Sequence, residues 1–146
     1  MIKKLKKSTR HFNKGSLDYR FIEKIEAGLQ LTGGDAKSLR SGTIQFANSR
    51  VEIVDGRPRL VNLGIPIYKY SQGQLVDSSR ERNLLLSKKE VAKLISWRKQ
   101  KYMIIPIAIY LRGRWFKVEL GVGRKMRKYE KRQQIKEREI KRGLIN

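Results

Sequence analysis

Apolar and polar residues alternate along much of the middle of the chain, which is the pattern of half-buried β-strands. Such stretches cover residues 25–31, 44–46 and 51–53. Asp55-Gly56 is a hairpin turn signal, and residues 60–63 are again mostly apolar. The first half of the chain therefore predicts a run of strands that includes one hairpin.

The second half repeats this pattern more strongly. Residues 104–111 are dense in isoleucine, Arg112-Gly113-Arg114 turns the chain, and residues 116–122 alternate again. Several antiparallel strands with few helices, in so short a chain, predict a mainly β fold. We expect an oligonucleotide-binding (OB)-like antiparallel barrel with flanking short helices.

Two helices and one loop interrupt the strands. Residues 35–40 predict a short helix closed by Gly42. Ser87 and Glu90 have capping-box spacing and precede an apolar helical stripe that runs to about Lys99. Residues 64–82 combine glycine, proline and a polar stretch, which predicts an irregular or mobile loop.

The net charge of the chain indicates what kind of partner it binds. The 146 residues include 35 Lys and Arg against 13 Asp and Glu, a formal net charge of +22. Such an imbalance favours binding to a polyanion, with nucleic acid ahead of an acidic membrane surface. The absence of cysteine excludes disulfides, thiolate zinc sites and cysteine nucleophiles. The single histidine excludes the usual histidine metal clusters and most histidine-dependent catalytic triads. We expect a binding protein with no catalytic residues, no metal and no cofactor.

The charge also divides the chain. Residues 1–20 carry a net charge of +6 and residues 121–146 a net charge of +7, so both ends are more basic per residue than the middle. This predicts a basic N-terminal extension (1–12), a barrel (13–123) and a basic C-terminal tail (124–146). Residues 124–142 are good helix formers without a continuous apolar face, so we expect the tail to be disordered alone and to become helical on a polyanion. The longest apolar run has nine residues, too few for a membrane span of about 20.

Individual sites are weakly marked. Arg112, Arg114 and Trp115 at a hairpin tip could bind phosphate and stack on a base, and a plain turn explains them as well. His11 has no nearby carboxylate or nucleophile in the sequence. No pair of acids has the spacing of a two-metal nuclease.

Five segments together resemble the small protein B (SmpB) family, the tmRNA-binding or SsrA-binding proteins of bacterial trans-translation. They are FNKGSLDY (12–19), EAGLQLTGGDAKSLRSG (26–42), DSSRERNLLLSKKEV (77–91) and KVELGVGRK (117–125) with YEKRQQIKERE (129–139) behind it. The match runs in order from about Asn13 to Glu139.

The resemblance implies a function and partners. A family member binds the tRNA-like domain of tmRNA and helps to deliver alanyl-tmRNA, with elongation factor Tu, to stalled ribosomes. Its tail enters the empty mRNA channel and decoding region of the small subunit, which leads to ribosome rescue. A family member is accordingly expected to act in the cytoplasm as a monomer, without a membrane partner, a cofactor or an enzymatic activity.

The resemblance also assigns residues to roles. In the tail, Tyr129 stands where the family has a histidine that stacks on ribosomal RNA. The residues expected to bind tmRNA are Asn13, Tyr19, Asp35, Lys37, Ser38, Arg40, Arg80, Arg82, Lys117 and Arg124. The residues expected to bind the ribosome through the tail are Tyr129, Lys131, Arg132, Lys136 and Arg138.

Two other classes of protein share part of this pattern. A ribosomal or ribosome-assembly protein that binds rRNA would have the same charge and barrel, but would not need the ordered set of matching segments. A hydrolase acting on RNA would need acidic residues that converge on one site.

Overall fold

The computed structural model describes residues 9–42, 44–66 and 80–143. The strands in these ranges are β1 (Arg10–Phe12), β2 (Tyr19–Leu29), β3 (Arg50–Val54), β4 (Arg57–Val61), β5 (Arg82–Leu85), β6 (Met103–Arg112) and β7 (Trp115–Lys125). The helices there are α1 (Gly33–Ser41), α2 (Lys88–Lys99) and α3 (Lys128–Lys141), with a 3-10 helix at Lys14–Asp18. The prediction of a mainly β fold with flanking short helices is confirmed.

The strands form one antiparallel sheet in the order β1-β6-β7-β2-β5-β4-β3. β3 also lies against β6, so the sheet curls into an OB-like, partly closed barrel. Register shifts in β2 between Phe21 and Glu23, and in β6 between Pro106 and Ala108, are of the kind that bends strands at barrel corners. The curled sheet encloses the apolar core, in which Leu60, Leu94 and Ile109 are fully buried.

Local capping interactions fix where two helices begin. The Ser87 hydroxyl accepts from the Glu90 backbone N–H at 3.2 Å and the Glu90 carboxylate accepts from the Ser87 N–H at 3.0 Å, which confirms the predicted capping box of α2. Thr32 and Asp35 form the same pair at α1. Because Thr32 is the N-cap, α1 begins at Gly33, two residues before the predicted start.

Two sequence interpretations are corrected. The strand predicted at residues 44–46 is wrong, since only Gln45 forms a single bridge, to Gly64. A turn in which the Ser49 N–H donates to the Phe46 carbonyl at 2.8 Å follows at once and prevents a longer ladder. At the other end of the predicted loop 64–82, Arg82 already belongs to β5, a strand that the sequence pattern does not predict. Residues 67–79 of that loop lie outside the described residues.

The sheet extends beyond the segment predicted as the barrel. Arg10–Phe12 pairs with β6, and β7 continues to Lys125, so ordered strand reaches into both segments predicted as basic extensions. Lys128–Lys141 is helical, although none of its residues is buried. None of the helices in the described ranges is long and apolar enough to span a membrane.

Candidate nucleic-acid interface

Asp35 is a buried anchor for two arginines. Its side chain is 6% exposed and its carboxylate pairs with Arg80, while Nε of Arg82 lies 3.4 Å from Oδ2. Arg82 Nη1 also donates to the carbonyl oxygens of Leu63 at 2.6 Å and of Arg80 at 2.9 Å. The Arg82 side chain is 1% exposed, so it ties α1 to the barrel from inside. Asp35 and Arg82, both expected at the RNA surface, therefore have positions suited to holding the fold.

α1 presents two of its four predicted binding residues to solvent and buries the other two, Asp35 and Ser38. Lys37 and Arg40 are exposed, whereas Ser38 is buried and its carbonyl accepts from the Gly42 N–H at 2.8 Å. Because Asp35 fixes the same helix from below, Lys37 and Arg40 have a rigid support. Arg80, which is partly exposed beside Asp35, extends this basic surface.

Asn13 and Tyr19 bracket the 3-10 helix. Asn13 is buried; its amide donates to the Pro106 carbonyl at 2.8 Å and accepts from the Gly15 N–H at 3.0 Å. Tyr19 is partly exposed, and burial together with the charge of Asp18 raises the pKa of its hydroxyl. Asn13 thus caps and anchors the 3-10 helix, while the Tyr19 ring remains partly available at the surface.

A row of residues crosses five strands on the outer face of the sheet. Paired positions in β1, β6, β7, β2 and β5 bring together Arg10, Tyr110, Lys117, Gly28 and Leu85. We call these five residues the outer-face row. Leu85 is 62% exposed although it is apolar. Gly28 lies between Leu85 and Lys117 in the row and has no side chain to separate them. A Cβ at Gly28 would lie only 3.1 Å from the Cβ of Leu85. The row therefore combines a cation, an aromatic ring and an uncovered apolar side chain.

Glu26 organises the end of this face. It accepts a hydrogen bond from the Tyr110 hydroxyl and two from Nη1 of Arg112, at 2.9 and 3.0 Å. The Tyr110 hydrogen bond is the main cause that lowers the pKa of Glu26. Partial burial and that same hydrogen bond raise the pKa of Tyr110 to about 12. Both groups are thus held in defined protonation states beside Lys117.

The hairpin tip next to this network is an aromatic surface. Trp115 pairs with Arg112 across the hairpin and is 72% exposed. Arg114 is also exposed, whereas Arg112 is held by Glu26. The structure thus places a large exposed ring beside cations, the arrangement that stacks on a base in single-stranded nucleic acid.

Arg124 lies at a second aromatic cluster, where β7 leads into the tail. Its guanidinium stacks 4.1 Å from the centre of the Tyr102 ring, which meets Trp97 edge-on at 5.3 Å. Together with Arg20, Arg127 and Tyr129 it borders a groove of about 450 Å³. The structure therefore brings Arg124 and Tyr129 together, although they come from the two classes of predicted site.

α3 displays the predicted ribosome-binding residues. Tyr129 is 64% exposed, and Lys131 forms an ion pair with Asp18 of the 3-10 helix. Arg132 and Lys136 are exposed and Arg138 is partly exposed. The side chains of α3 therefore present a basic surface, and the Lys131–Asp18 ion pair links this helix to the barrel. Disorder of this segment in the free protein stays a prediction.

Sequence reasoning missed most of the outer-face row. Of its five residues only Lys117 was predicted to bind RNA. The run Leu84-Leu85-Leu86 held a signal, because a strand with alternate residues in the core must turn one of three adjacent leucines outward. Arg10, Tyr110 and Gly28 become neighbours only through strand pairing, which the sequence does not reveal.

Comparisons with known proteins show which family this chain is similar to. A model of the SmpB protein family matches residues 10–145. The SsrA-binding protein of Sulfurihydrogenibium sp. is 42% identical over 128 residues, which cover 87% of this chain and 84% of that protein. The SsrA-binding protein of Thermosipho africanus is 41% identical over 129 residues, 87% of each chain. A solved chain described as "tmRNA-SmpB: a journey to the center of the bacterial ribosome" aligns with a TM-score of 0.70 and 37% identity, covering 93% of this chain and 97% of that one.

Proposed function

Because this chain belongs to the SmpB family, we propose that it binds tmRNA through its barrel and carries it to stalled ribosomes. The chain is a tmRNA-binding protein of trans-translation, with tmRNA and the stalled ribosome as its partners. The comparisons give no support to the alternative of a ribosomal or ribosome-assembly protein.

The outer-face row carries the proposal of where tmRNA binds. Leu85 adds exposed apolar surface to a row that also holds an aromatic ring and two cations, so this face offers apolar contact as well as positive charge. Lys117 and Arg10 supply positive charge for phosphates on the same face, and the Tyr110 ring and nearby Trp115 supply aromatic surface. A protein surface that combines stacking groups with cations fits an RNA elbow or loop with exposed bases.

α1 supplies a second contact in this proposal. Lys37 and Arg40 project from a helix that the Asp35–Arg82 pair fixes on the barrel. Cations held on a rigid support bind phosphates with a smaller loss of conformational entropy than cations on a mobile loop. In this account Asp35, Ser38, Asn13 and Arg82 act as positioning residues, and Arg80 adds charge next to α1.

The tail acts on the ribosome and not on tmRNA. α3 exposes Arg132 and Lys136, and its cations suit the phosphates that line an empty mRNA channel. Tyr129 retains an aromatic ring that stacks on a base where the family has histidine. The predicted division into a binding barrel at residues 13–123 and a functional tail at residues 124–146 remains part of the proposal. Arg10–Phe12 and the last residues of β7 are part of the same sheet and therefore join the binding unit.

The remaining parts of the proposal concern the protein's location, oligomeric state and further partner. The protein works as a cytoplasmic monomer, meets elongation factor Tu through alanyl-tmRNA, and contributes binding energy without catalysing a reaction. Its chemistry is that of RNA recognition by stacking, hydrogen bonds and counterion release.

Recovery of bound RNA from cells tests this function. The full chain is captured after crosslinking, and the RNA attached to it is sequenced. Strong enrichment of tmRNA over total RNA is the expected result. Recovery of bulk ribosomal RNA without tmRNA would favour an rRNA-binding protein and contradict the proposal.

A further inference from the structure

A groove of about 650 Å³ opens on the side of the barrel, next to the 3-10 helix. Phe12, Tyr19 and Phe46 contribute its aromatic lining, Ile105 is part of its floor, and Lys14 and Lys125 are its cations. We call it the Phe12 groove. Its volume lies within the range of about 300–1,000 Å³ that is usual for sites that bind small organic groups.

Both walls of the Phe12 groove are held by backbone hydrogen bonds. In the first wall, the Asn13 N–H donates to the Ile107 carbonyl at 2.8 Å and the Met126 N–H donates to the Asp18 carbonyl at 2.8 Å. In the second wall, Gln45 exchanges two hydrogen bonds of 2.9 Å with Gly64. The groove is therefore formed before any ligand enters, and binding does not require its walls to fold.

The groove contains an aromatic ring that is not packed in the core and a buried hydroxyl without a hydrogen-bond partner among the described residues. Phe12 is 45% exposed, unusual for a phenylalanine of a sheet, and it does not belong to the core cluster. Ser49 lies in the second wall with a buried hydroxyl that has no hydrogen-bond partner within the described part of the chain. An open ring and an unused polar group are features of a binding site more than of a packed surface.

Charge identifies the occupant. Lys14 and Lys125 are exposed and attract an anion, whereas Asp18, the one acidic residue of the lining, is paired with Lys131. A ligand with a flat apolar ring and an attached phosphate satisfies both the aromatic lining and the lysines. A nucleotide that has left its stack in an RNA has this composition.

We propose that the Phe12 groove receives one unstacked base of a bound RNA, with the base against Phe12 and Phe46 and its phosphate at Lys14 or Lys125. This inference rests on the proposed RNA-binding function and adds a site whose lining shares no residue with the outer-face row. The site takes a nucleotide as its ligand, and the aromatic rings make the base, not only the phosphate, part of recognition.

Titration of the full chain with AMP and with ribose 5-phosphate, followed by amide NMR, tests the site. AMP should shift the amide signals of Phe12 and of residues 46–49, and ribose 5-phosphate should shift them much less. The variant Phe12→Leu, which keeps an apolar side chain but has no ring, should weaken AMP binding by at least about 5-fold. Phe12→Tyr should retain AMP binding.

Leu17→Ala is the matched control. Leu17 is 44% exposed on the adjacent 3-10 helix and does not line the groove, so this variant should bind AMP as the parent does. Equal shifts with AMP and ribose 5-phosphate, or no effect of Phe12→Leu, would overturn the inference. If the parent still binds tmRNA in that case, the proposed function stands. Failure of the parent to bind tmRNA would instead contradict the proposed function itself.

Discussion

The carboxylate of Asp35 and the guanidinium of Arg82 meet in the interior of the protein, with Oδ2 3.4 Å from Nε. The two residues are 47 positions apart in the sequence, and both side chains are almost fully buried. Their pairing joins the first turn of α1 to the start of β5. It supports the exposed cations of α1 from below without forming part of that surface.

Loss of the Asp35 charge should therefore destabilise the whole protein. Asp35→Asn keeps the shape of the side chain but leaves Arg82 buried without a counter-charge, so the free energy of unfolding should fall by about 3 kcal/mol. Urea denaturation followed by circular dichroism measures this change. Asp55→Asn, in an exposed turn, is the matched control and should have little effect. Equal stability of the two variants would show that the buried pair does not hold α1.

Lys37 and Arg40 should act by binding phosphates. Replacing either with alanine should weaken tmRNA binding and reduce the slope of log K against log salt by about 0.7–0.9 for each phosphate that the side chain neutralises in the parent. Binding titrations over a range of salt concentrations measure the slope. Lys89→Ala, an exposed cation on α2, should leave it unchanged. If both α1 variants had the same salt dependence of tmRNA binding as the parent, α1 would not be part of the tmRNA interface.

Tyr110 should lose its proton at high pH, and this should change stability. Its pKa is raised to about 12 in the folded chain, from 10.0 for an unperturbed hydroxyl. The unfolded chain therefore releases this proton first, and the free energy of unfolding should fall as the pH rises from about 10 to about 12. The carbon NMR shift of the Tyr110 ring follows the titration directly.

Two variants check the assignment of that titration. Tyr110→Phe should abolish the tyrosine titration step near pH 12, which we call the late step. It should also remove the main cause of the lowered pKa of Glu26. Tyr129→Phe, on exposed α3, should leave the late step in place. Persistence of the late step in Tyr110→Phe would assign it to another tyrosine.

Removal of the tail should preserve tmRNA binding but abolish the rescue of stalled ribosomes. Removal of residues 128–146 leaves β7 and buried Met126 intact, so tmRNA affinity should remain close to that of the parent. Peptide tagging on stalled ribosomes should be abolished, because the cations of α3 are gone. Replacement of Lys131, Lys136 and Arg138 with Glu should have nearly the same effect, since three attractive charges become repulsive. If the truncated protein supported tagging at the parent rate, the tail would have no role in rescue and would be only a solvated extension.

Local features of the fold could be read from the sequence, whereas the site depended on pairing between distant residues. The α2 capping box involves residues three apart, and each hairpin is marked by its own turn, so both are predicted correctly. β5 has only four residues, too few for a clear alternation, and the sequence pattern does not reveal it.

Burial of charge is also hidden from the sequence. Arg82 lies in a polar segment of the sequence and was expected at the RNA surface, but a carboxylate 47 residues away holds it inside. Tyr110 and Lys117 are seven residues apart in the sequence but become neighbours of Gly28 and Leu85 only through the register of four strands. Neither relationship leaves a periodic signal, because each depends on how distant segments meet.

The most direct test of the central claim is the affinity of the outer-face row for the tRNA-like domain of tmRNA. The double variant Leu85→Ala/Lys117→Ala should keep the parent's stability, because Leu85 is 62% exposed, and should bind about 30-fold more weakly if each side chain contributes about 1 kcal/mol. The matched double variant Val54→Ala/Lys89→Ala also removes one exposed apolar side chain and one exposed lysine, and should bind as the parent does. Equal affinity of the two double variants for this RNA would contradict the assignment of tmRNA binding to the outer face of the barrel.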